Sequence, residues 1–186
     1  MLSVELARDL ARGHLASSLS RRWLHVRAVA DRASTVGARL ELEPEVLVSA
    51  AWLHDIGYSP QLVDTGFHPL DGARYLRRLG VDERVVCLVA HHSCAQLEAD
   101  ERGLLGTLRR EFSEERSATA DALWYCDMTV GPDGGAVTVG DRLSEIRSRY
   151  GAEDVVGRFV VRAREELVGA VSRTERRLDQ PHTLRV

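Results

Sequence analysis

Residues 44–57 read PEVLVSAAWLHDIG, and this stretch decides the fold. Pro44 suits the first turn of a helix, because a backbone N–H at that position would have no partner inside the helix. The apolar positions that follow are Val46, Leu47, Ala50, Ala51 and Leu53. They predict a buried helix, which we expect to end near Gly57 because glycine commonly follows a helix C-terminus. The polar pair His54-Asp55 therefore stands at the end of an apolar helix.

The chain on both sides of this stretch is typical of further helices. No segment alternates apolar and polar residues over several positions, as a half-buried strand would. The charged segment 94–103 is predicted to be a loop, and residues 137–139 could form only a short strand. The predicted helices cover about 3–19, 21–40, 44–57, 69–79, 82–93, 104–127 with room for a break, 141–149 and 153–178.

The sequence therefore predicts an all-α fold, a helical bundle with a C-terminal helical extension. We expect a single domain over residues 1–186, with its core at about 15–130 and the C-terminal helices at about 141–180. Hydrophobic residues make up 44% of the 186-residue chain, which is enough for a core without disulfides. The three cysteines form no C-x-x-C pair, so a thiolate zinc site is not indicated.

Composition narrows the range of partners. The net charge is −3 and no basic stripe with interleaved aromatic residues occurs, which argues against nucleic acid. No apolar run reaches the roughly 18 residues of a membrane helix, and the N-terminus lacks the apolar core of a secretory signal. We therefore expect a cytoplasmic protein with a small-molecule substrate. All 25 basic residues are arginine, so phosphate binding must use arginine forks or backbone N–H groups.

Imidazoles and carboxylates recur at the ends or inner faces of the predicted apolar helices. Each of these residues alone has an ordinary structural explanation, but unpaired polar groups are costly at such positions. Packing the helices together would bring several ligands into one cavity, and a bound cation is the simplest way to satisfy them. The candidate metal ligands are His25, His54, Asp55, His68, His91 and Asp127.

The kind of ligand indicates the kind of metal. Imidazole and carboxylate without thiolate suit Mn, Fe, Co, Ni or Zn. Six ligands exceed the needs of one catalytic ion, so we predict two divalent ions, bridged by Asp55 and about 3.5–4 Å apart. Adjacent helical side chains diverge by about 100°, so His92 could face the second ion, the substrate or neither. Asp55 and His92 are the candidate catalytic residues, and either could relay a proton.

The string HDIG at residues 54–57, with His25 upstream and Asp127 downstream, resembles the H…HD…D signature of the HD superfamily of metal-dependent phosphohydrolases. The resemblance covers roughly residues 15–130. His68 in HPLDGA and the histidine pair in VAHHS resemble the extra histidines of the dinuclear members. The resemblance implies hydrolysis of a small phosphate ester or nucleotide by a metal-activated hydroxide.

Two departures exclude cyclic-di-GMP hydrolysis, the activity of the HD-GYP branch. That branch carries a G-Y-P element after its paired histidines, where this chain reads SCAQLEADERG, and Arg21 replaces its third-metal glutamate. Two alternatives to a phosphohydrolase stay open. One is a mixed-valent di-iron oxygenase with the same ligands, and the other is a non-catalytic helical binding module that retains its metal.

The C-terminal helix carries an apolar stripe, which is typical of core packing or of a homodimer interface. The stripe comprises Val160, Val161, Ala163, Leu167 and Val171. His14 and His182 lie in the outer segments and are predicted to be incidental to the site.

Overall fold

The computed structural model of the chain describes residues 3–180, so His182 lies outside the described residues. Ten α-helices make up most of this range, and two 3-10 turns, Ile56–Tyr58 and His92–Cys94, stand between them. The described residues contain no strand, only one isolated bridge between Val130 and Ala136. The all-α prediction is confirmed. The helices are α1 Val4–Leu15, α2 Ser20–Arg39, α3 Pro44–Leu53, α4 His68–Arg78, α5 Glu83–Ala90, α6 Ala95–Glu101, α7 Leu105–Glu111, α8 Ala118–Met128, α9 Val139–Tyr150 and α10 Val155–Leu178.

Local sequence signals start several of these helices. Pro44 occupies the first turn of α3, as predicted. The Asp82 side chain accepts a hydrogen bond from the backbone N–H of Arg84 and so caps α5. Ser117 caps α8 in the same way, through the N–H of Ala120. These caps satisfy N–H groups that the first turn of a helix leaves without a partner.

Two apolar clusters make up the interior. The larger is formed mainly by α1 to α5, α7 and α8, with α2 packed against α3 and α8, and α1 packed against α3. The smaller joins α9 and α10 to Cys94 of the 3-10 turn after α5 and to the end of α8. In α10, the predicted stripe packs inside the chain, except for Val161, which is 57% exposed. The candidate site lies where the two clusters meet.

The prediction of a loop over residues 94–103 is wrong, because Ala95–Glu101 forms helix α6. The charged residues of this segment are typical of a solvent-exposed loop, but here they form ion pairs with arginines of α10. Arg162 contacts Asp100 at 2.8 Å and Glu101 at 2.6 Å, and Arg158 contacts Glu101 at 2.9 Å. These partners are distant in sequence, so the local pattern does not show them.

Helix α3 also ends earlier than predicted, at Leu53. Gly57 lies in the 3-10 turn that follows, where it packs against α4. A Cβ atom at Gly57 would lie 2.0 Å from the carbonyl oxygen of His68 and 2.7 Å from the backbone nitrogen of Gly72. Gly57 is therefore required by a close helix contact rather than by the end of a helix. The predicted helix over 104–127 is likewise divided into α7 and α8.

Asp121 links α8 to α10, and we expect this link to weaken in acid. Burial alone would raise its pKa, but hydrogen bonds from Arg173 and Arg177 outweigh burial and lower it. A carboxyl whose pKa is lowered by folding stabilises the protein above its unfolded pKa, about 3.9, and loses that contribution as the pH falls. Asp121→Asn should reduce the free energy of unfolding by about 1–3 kcal/mol at pH 7.

The measurement is urea denaturation of Asp121→Asn and the wild-type protein between pH 7 and pH 3. The difference between the two should shrink as the pH approaches 3, because Asp121 of the unfolded wild-type chain takes up a proton below its pKa of about 3.9, whereas the folded chain does so only at lower pH. A difference that stays constant over this range would contradict an ionic link.

None of the helices within residues 3–180 combines the length with the apolar character that crossing a bilayer requires.

Candidate metal centre

Six polar side chains from five parts of the chain meet between the two apolar clusters. Five of them are buried, and His68 is half-buried. The large apolar surface around them comes from the helices that carry them, so they are brought together by core packing. The six are His25 of α2, His54 and Asp55 after α3, His68 of α4, His92 after α5 and Asp127 of α8.

The six side chains divide into two groups of three. His25, His54 and Asp127 form the first group, in which one ligand atom from each residue lies within 4.8 Å of the other two. Asp55, His68 and His92 form the second group by the same distance. Each group offers two imidazoles and one carboxylate, so each could hold one metal ion.

Asp55 connects the groups because its two oxygens face in different directions. Its Oδ2 atom lies 3.3 Å from Nε2 of His54 and 4.0 Å from Nε2 of His25. Its Oδ1 atom lies 3.3 Å from Nε2 of His68 and 4.0 Å from Nε2 of His92. One carboxylate thus presents an oxygen to each group of imidazoles.

Backbone carbonyls orient three of the imidazoles. Nδ1 of His25 lies 3.1 Å from the Gly131 oxygen, Nδ1 of His54 lies 2.7 Å from that of Ala51, and Nδ1 of His92 lies 2.7 Å from that of Val89. A carbonyl oxygen only accepts hydrogen bonds, so each Nδ1 carries the hydrogen and donates it. Each Nε2 is then directed at the centre of the cluster, which is the arrangement of histidines that bind metals.

One buried atom in this cluster is left unsatisfied. Nε2 of His54 is fully buried, and among the described residues it has no hydrogen-bond partner, although Asp55 lies 3.3 Å away. Buried polar atoms in folded proteins nearly always have a partner. A cation between His54 and the two carboxylates would satisfy this nitrogen. The residues therefore fit a divalent transition metal, for which imidazole and carboxylate are suitable ligands.

The charges of the cluster interact strongly. Burial would raise the pKa of Asp55, but Arg22 and His54 outweigh it and hold the pKa well below the usual range. Burial would lower the pKa of His54, but Asp55 and Asp127 outweigh it and raise that pKa to about 9. Burial lowers the pKa of His92 to about 3, and His68 and His54 add to this effect. His92 is therefore neutral near pH 7, which is the form that binds a metal.

The structure does not bring His91 to the cluster, contrary to the prediction that it is a metal ligand. Its Nε2 donates to the carbonyl oxygen of Phe112 at 2.9 Å and so joins the end of α5 to the end of α7. Helix α5 ends at Ala90 rather than near Ser93, and Ser93 and Cys94 adopt left-handed φ angles of 46° and 62°. The chain therefore turns sharply here, and His92 is the histidine that faces inward.

His91 and His92 form a matched pair for a test of metal content. Both are buried imidazoles, so each alanine variant loses similar packing. We expect His92→Ala to keep about half the metal of the wild-type protein, since one group loses an imidazole. His91→Ala should keep all of it and lose only stability. Elemental analysis after gel filtration measures the ratio of metal to protein. Equal losses in the two variants would contradict this assignment.

Three further side chains contact the cluster and were not predicted. Arg22 donates to Oδ2 of Asp55 at 2.7 Å, and its guanidinium lies 3.9 Å from the centre of the Tyr58 ring. Tyr58 in turn stacks on His68 at 3.9 Å. Arg22 stands one helical turn before His25, so the two lie on the same face of α2, and this spacing could have indicated that Arg22 reaches the cluster. Ser93 donates a hydrogen bond to Asp127 at 2.5 Å, and no sequence pattern indicates this contact.

A cavity of about 80 Å³ opens onto the cluster. One wall carries Asp55, His68, His92 and Asp127, together with Arg22 and Tyr58. Helices α9 and α10 also line the cavity, and their residues there are Arg142, Leu143, Ile146, Arg149, Tyr150, Val156, Phe159, Val160 and Leu167. A second opening of about 310 Å³ adjoins it and shares three of its arginines, Arg22, Arg142 and Arg149.

Comparison with known proteins supports the resemblance seen in the sequence. Over 82 residues the chain is 34% identical to a tRNA (cytidine(56)-2'-O)-methyltransferase of Thermoplasma volcanium, a match that covers 44% of this chain. The chain spans only about a quarter, 24%, of that relative. No solved structure gave a significant match. The family model of the HD domain matches residues 22–123, more than half of the 186 residues, and the chain therefore belongs to the HD domain family.

Proposed function

We propose that the chain is a metal-dependent phosphohydrolase that acts on a small phosphorylated molecule and uses two divalent ions. The observation that carries this proposal is the position of Asp55, whose oxygens face two separate pairs of imidazoles. His25, His54 and Asp127 would hold one ion, and His68 and His92 the other, with Asp55 shared between them. When bound, such a pair of ions clamps a phosphoryl group and activates water toward phosphorus.

The residues of the chain prepare the site for a phosphoryl group. The carbonyl contacts hold His54 and His92 with Nε2 directed inward, so little rearrangement is needed on binding. Arg22 stands beside Asp55 and is 20% exposed, which leaves its guanidinium open to the cavity. A guanidinium there can stabilise the negative charge that develops on a phosphoryl group. The apolar wall from α9 and α10 limits the access of water.

The size of the cavity favours a small substrate. One buried water needs roughly 10–15 Å³, so a cavity of about 80 Å³ has room for a few waters or for one phosphate group. A nucleotide would have to extend into the adjoining opening. We therefore expect the scissile phosphate at the His–Asp cluster, where the ions would hold it, and the remainder of the substrate toward α9.

The methyltransferase relative does not argue for methyl transfer by this chain. The activity in its name belongs to a protein of which the chain spans 24%. Residues 22–123 match the HD domain, and a site of imidazoles and carboxylates suits metal-assisted hydrolysis.

Phosphate release and metal content together test the proposal. The protein is loaded with Mn²⁺ or Fe²⁺ and assayed against phosphomonoesters, phosphodiesters and nucleotides, and elemental analysis gives the ions per chain. We expect two ions and turnover of at least one small phosphomonoester. His54→Ala is the control for contaminating phosphatases and should be inactive. Arg78→Gln, a surface change on α4, should behave as the wild-type protein.

Two outcomes would contradict the proposal. A metal-loaded protein that hydrolyses none of these compounds is not a phosphohydrolase of the proposed kind. An iron-loaded protein that consumes dioxygen, and shows the paramagnetic signal of a mixed-valent iron pair, would instead support the oxygenase alternative.

A further inference from the structure

Arg142 is a buried cation with an unsatisfied donor. It lies on α9, its side chain is 6% exposed, and it lines both the cavity above the cluster and the adjoining opening. One of its terminal nitrogens donates to Glu145 at 2.7 Å. Its Nε has no hydrogen-bond partner among residues 3–180. Burial of a guanidinium is costly unless its donors are satisfied, so this group is suited to an anion that the cavity admits.

Positive charge around Arg142 exceeds the charge of its partners. Arg149, one wall neighbour, also contacts Glu145, at 3.4 Å, so two guanidiniums share a single carboxylate. Arg22 is paired with Asp55, and Arg21 at the rim of the opening is paired with Asp133. At Glu145, therefore, two guanidiniums face one carboxylate. This shared carboxylate leaves the Arg142–Arg149 pair with an excess of positive charge, which favours the binding of an anion.

We propose that Arg142, assisted by Arg149, binds a second anionic group of the substrate. The inference rests on the proposed function, since the first anionic group is the phosphoryl group at the His–Asp cluster. The substrate class is a phosphate ester that carries another phosphate or a carboxylate. A guanidinium is planar and offers parallel N–H donors, which match both of these groups.

Arg142 lies on α9, so the preference for a substrate with two anionic groups would depend on the C-terminal helices. The HD family match ends at residue 123, whereas α9 begins at Val139. The cavity that Arg142 shares with the cluster is also lined by the apolar residues Leu143, Ile146 and Phe159. The part of the substrate that joins its two anionic groups should therefore have low polarity.

Stable phosphonates test the proposal without turnover. Calorimetry gives the dissociation constants of methylphosphonate, which has one anionic group, and of phosphonoacetate, 3-phosphonopropionate and 4-phosphonobutyrate, which add a carboxylate at increasing distance. The corresponding alkylene bisphosphonates carry a second phosphonate in place of the carboxylate, and they test whether the second anionic group is a phosphate. The protein is the Mn²⁺-loaded full chain. We expect at least one two-anion probe to bind about tenfold or more tightly than methylphosphonate.

Arg142→Gln should abolish this preference. Arg147→Gln, which removes the same charge from an exposed position of α9, should keep it. Glu145→Gln should strengthen the binding of two-anion probes, because it releases both guanidiniums. A purely structural Arg142 predicts the opposite for Glu145→Gln, a lower melting temperature without tighter binding. If Arg142→Gln does not fold, Glu145→Gln still decides between the two roles.

The proposal is overturned if the wild-type protein binds one-anion and two-anion probes equally, or if Arg142→Gln keeps the preference. The two proposals fail separately. A preference that depends on Arg142, without hydrolysis of any phosphate ester, would sink the proposed function alone. Hydrolysis without such a preference would sink the role of Arg142 alone.

Discussion

Asp55→Asn is expected to lower the turnover of the metal-loaded protein by about 10³-fold, and to reduce its content of both ions. The substitution keeps the size of the side chain but removes its negative charge, which faces four imidazole nitrogens at 3.3–4.0 Å. Each of the other ligands belongs to one group only, whereas the two oxygens of Asp55 face imidazoles of both groups. Loss of this carboxylate should therefore weaken both ions and remove the link that sets their separation.

The measurement is metal content and turnover of purified Asp55→Asn beside two comparison variants. Asp121→Asn makes the same chemical change at a carboxylate that pairs with Arg173, away from the cluster, and should retain both ions and full turnover. His68→Ala should lose mainly one ion, and added metal should partly restore it by mass action. If Asp55→Asn keeps two ions and wild-type turnover, the arrangement proposed for the site is incorrect.

Gly57→Ala is expected to be one of the most destabilising single methyl additions in the described part of the chain. The added Cβ would overlap the carbonyl of His68 and the backbone of Gly72, and backbone atoms cannot move aside by changing a rotamer. Overpacking commonly costs about 1–3 kcal/mol, and this contact should reach or exceed the upper end. A typical domain has only about 5–15 kcal/mol of stability in total.

Gly13→Ala is the matched control for this change. Gly13 is exposed on α1, and no described atom outside its own helix lies within 4 Å of the added Cβ position. This variant should gain up to about 1 kcal/mol from helix propensity. Denaturant unfolding compares the two variants, and metal content shows whether His68 has moved. A Gly57→Ala protein with wild-type stability and metal content would show that the α4 contact is not needed.

The candidate site was partly predictable because its residues have unusual positions in the helices. The structure brings together five of the predicted ligands, which the sequence shows as polar residues at the ends or inner faces of apolar helices: His25, His54, Asp55, His68 and Asp127. The choice between His91 and His92 was not predictable, since residues 85–92 are all buried and the apolar pattern does not distinguish the two. The sharp turn at Ser93 and Cys94 decides it.

The sequence by itself determined the helical class, most helix starts and the ligand types, because these depend on neighbouring residues. Pro44 and the Asp82 cap act within one turn, and apolar spacing of three to four residues reports a buried helix face. Only the tertiary structure decided the helix at 95–101, the role of Gly57 and the position of Arg142. Each depends on partners that are far away along the chain but close in space, and a local pattern carries no information about such partners.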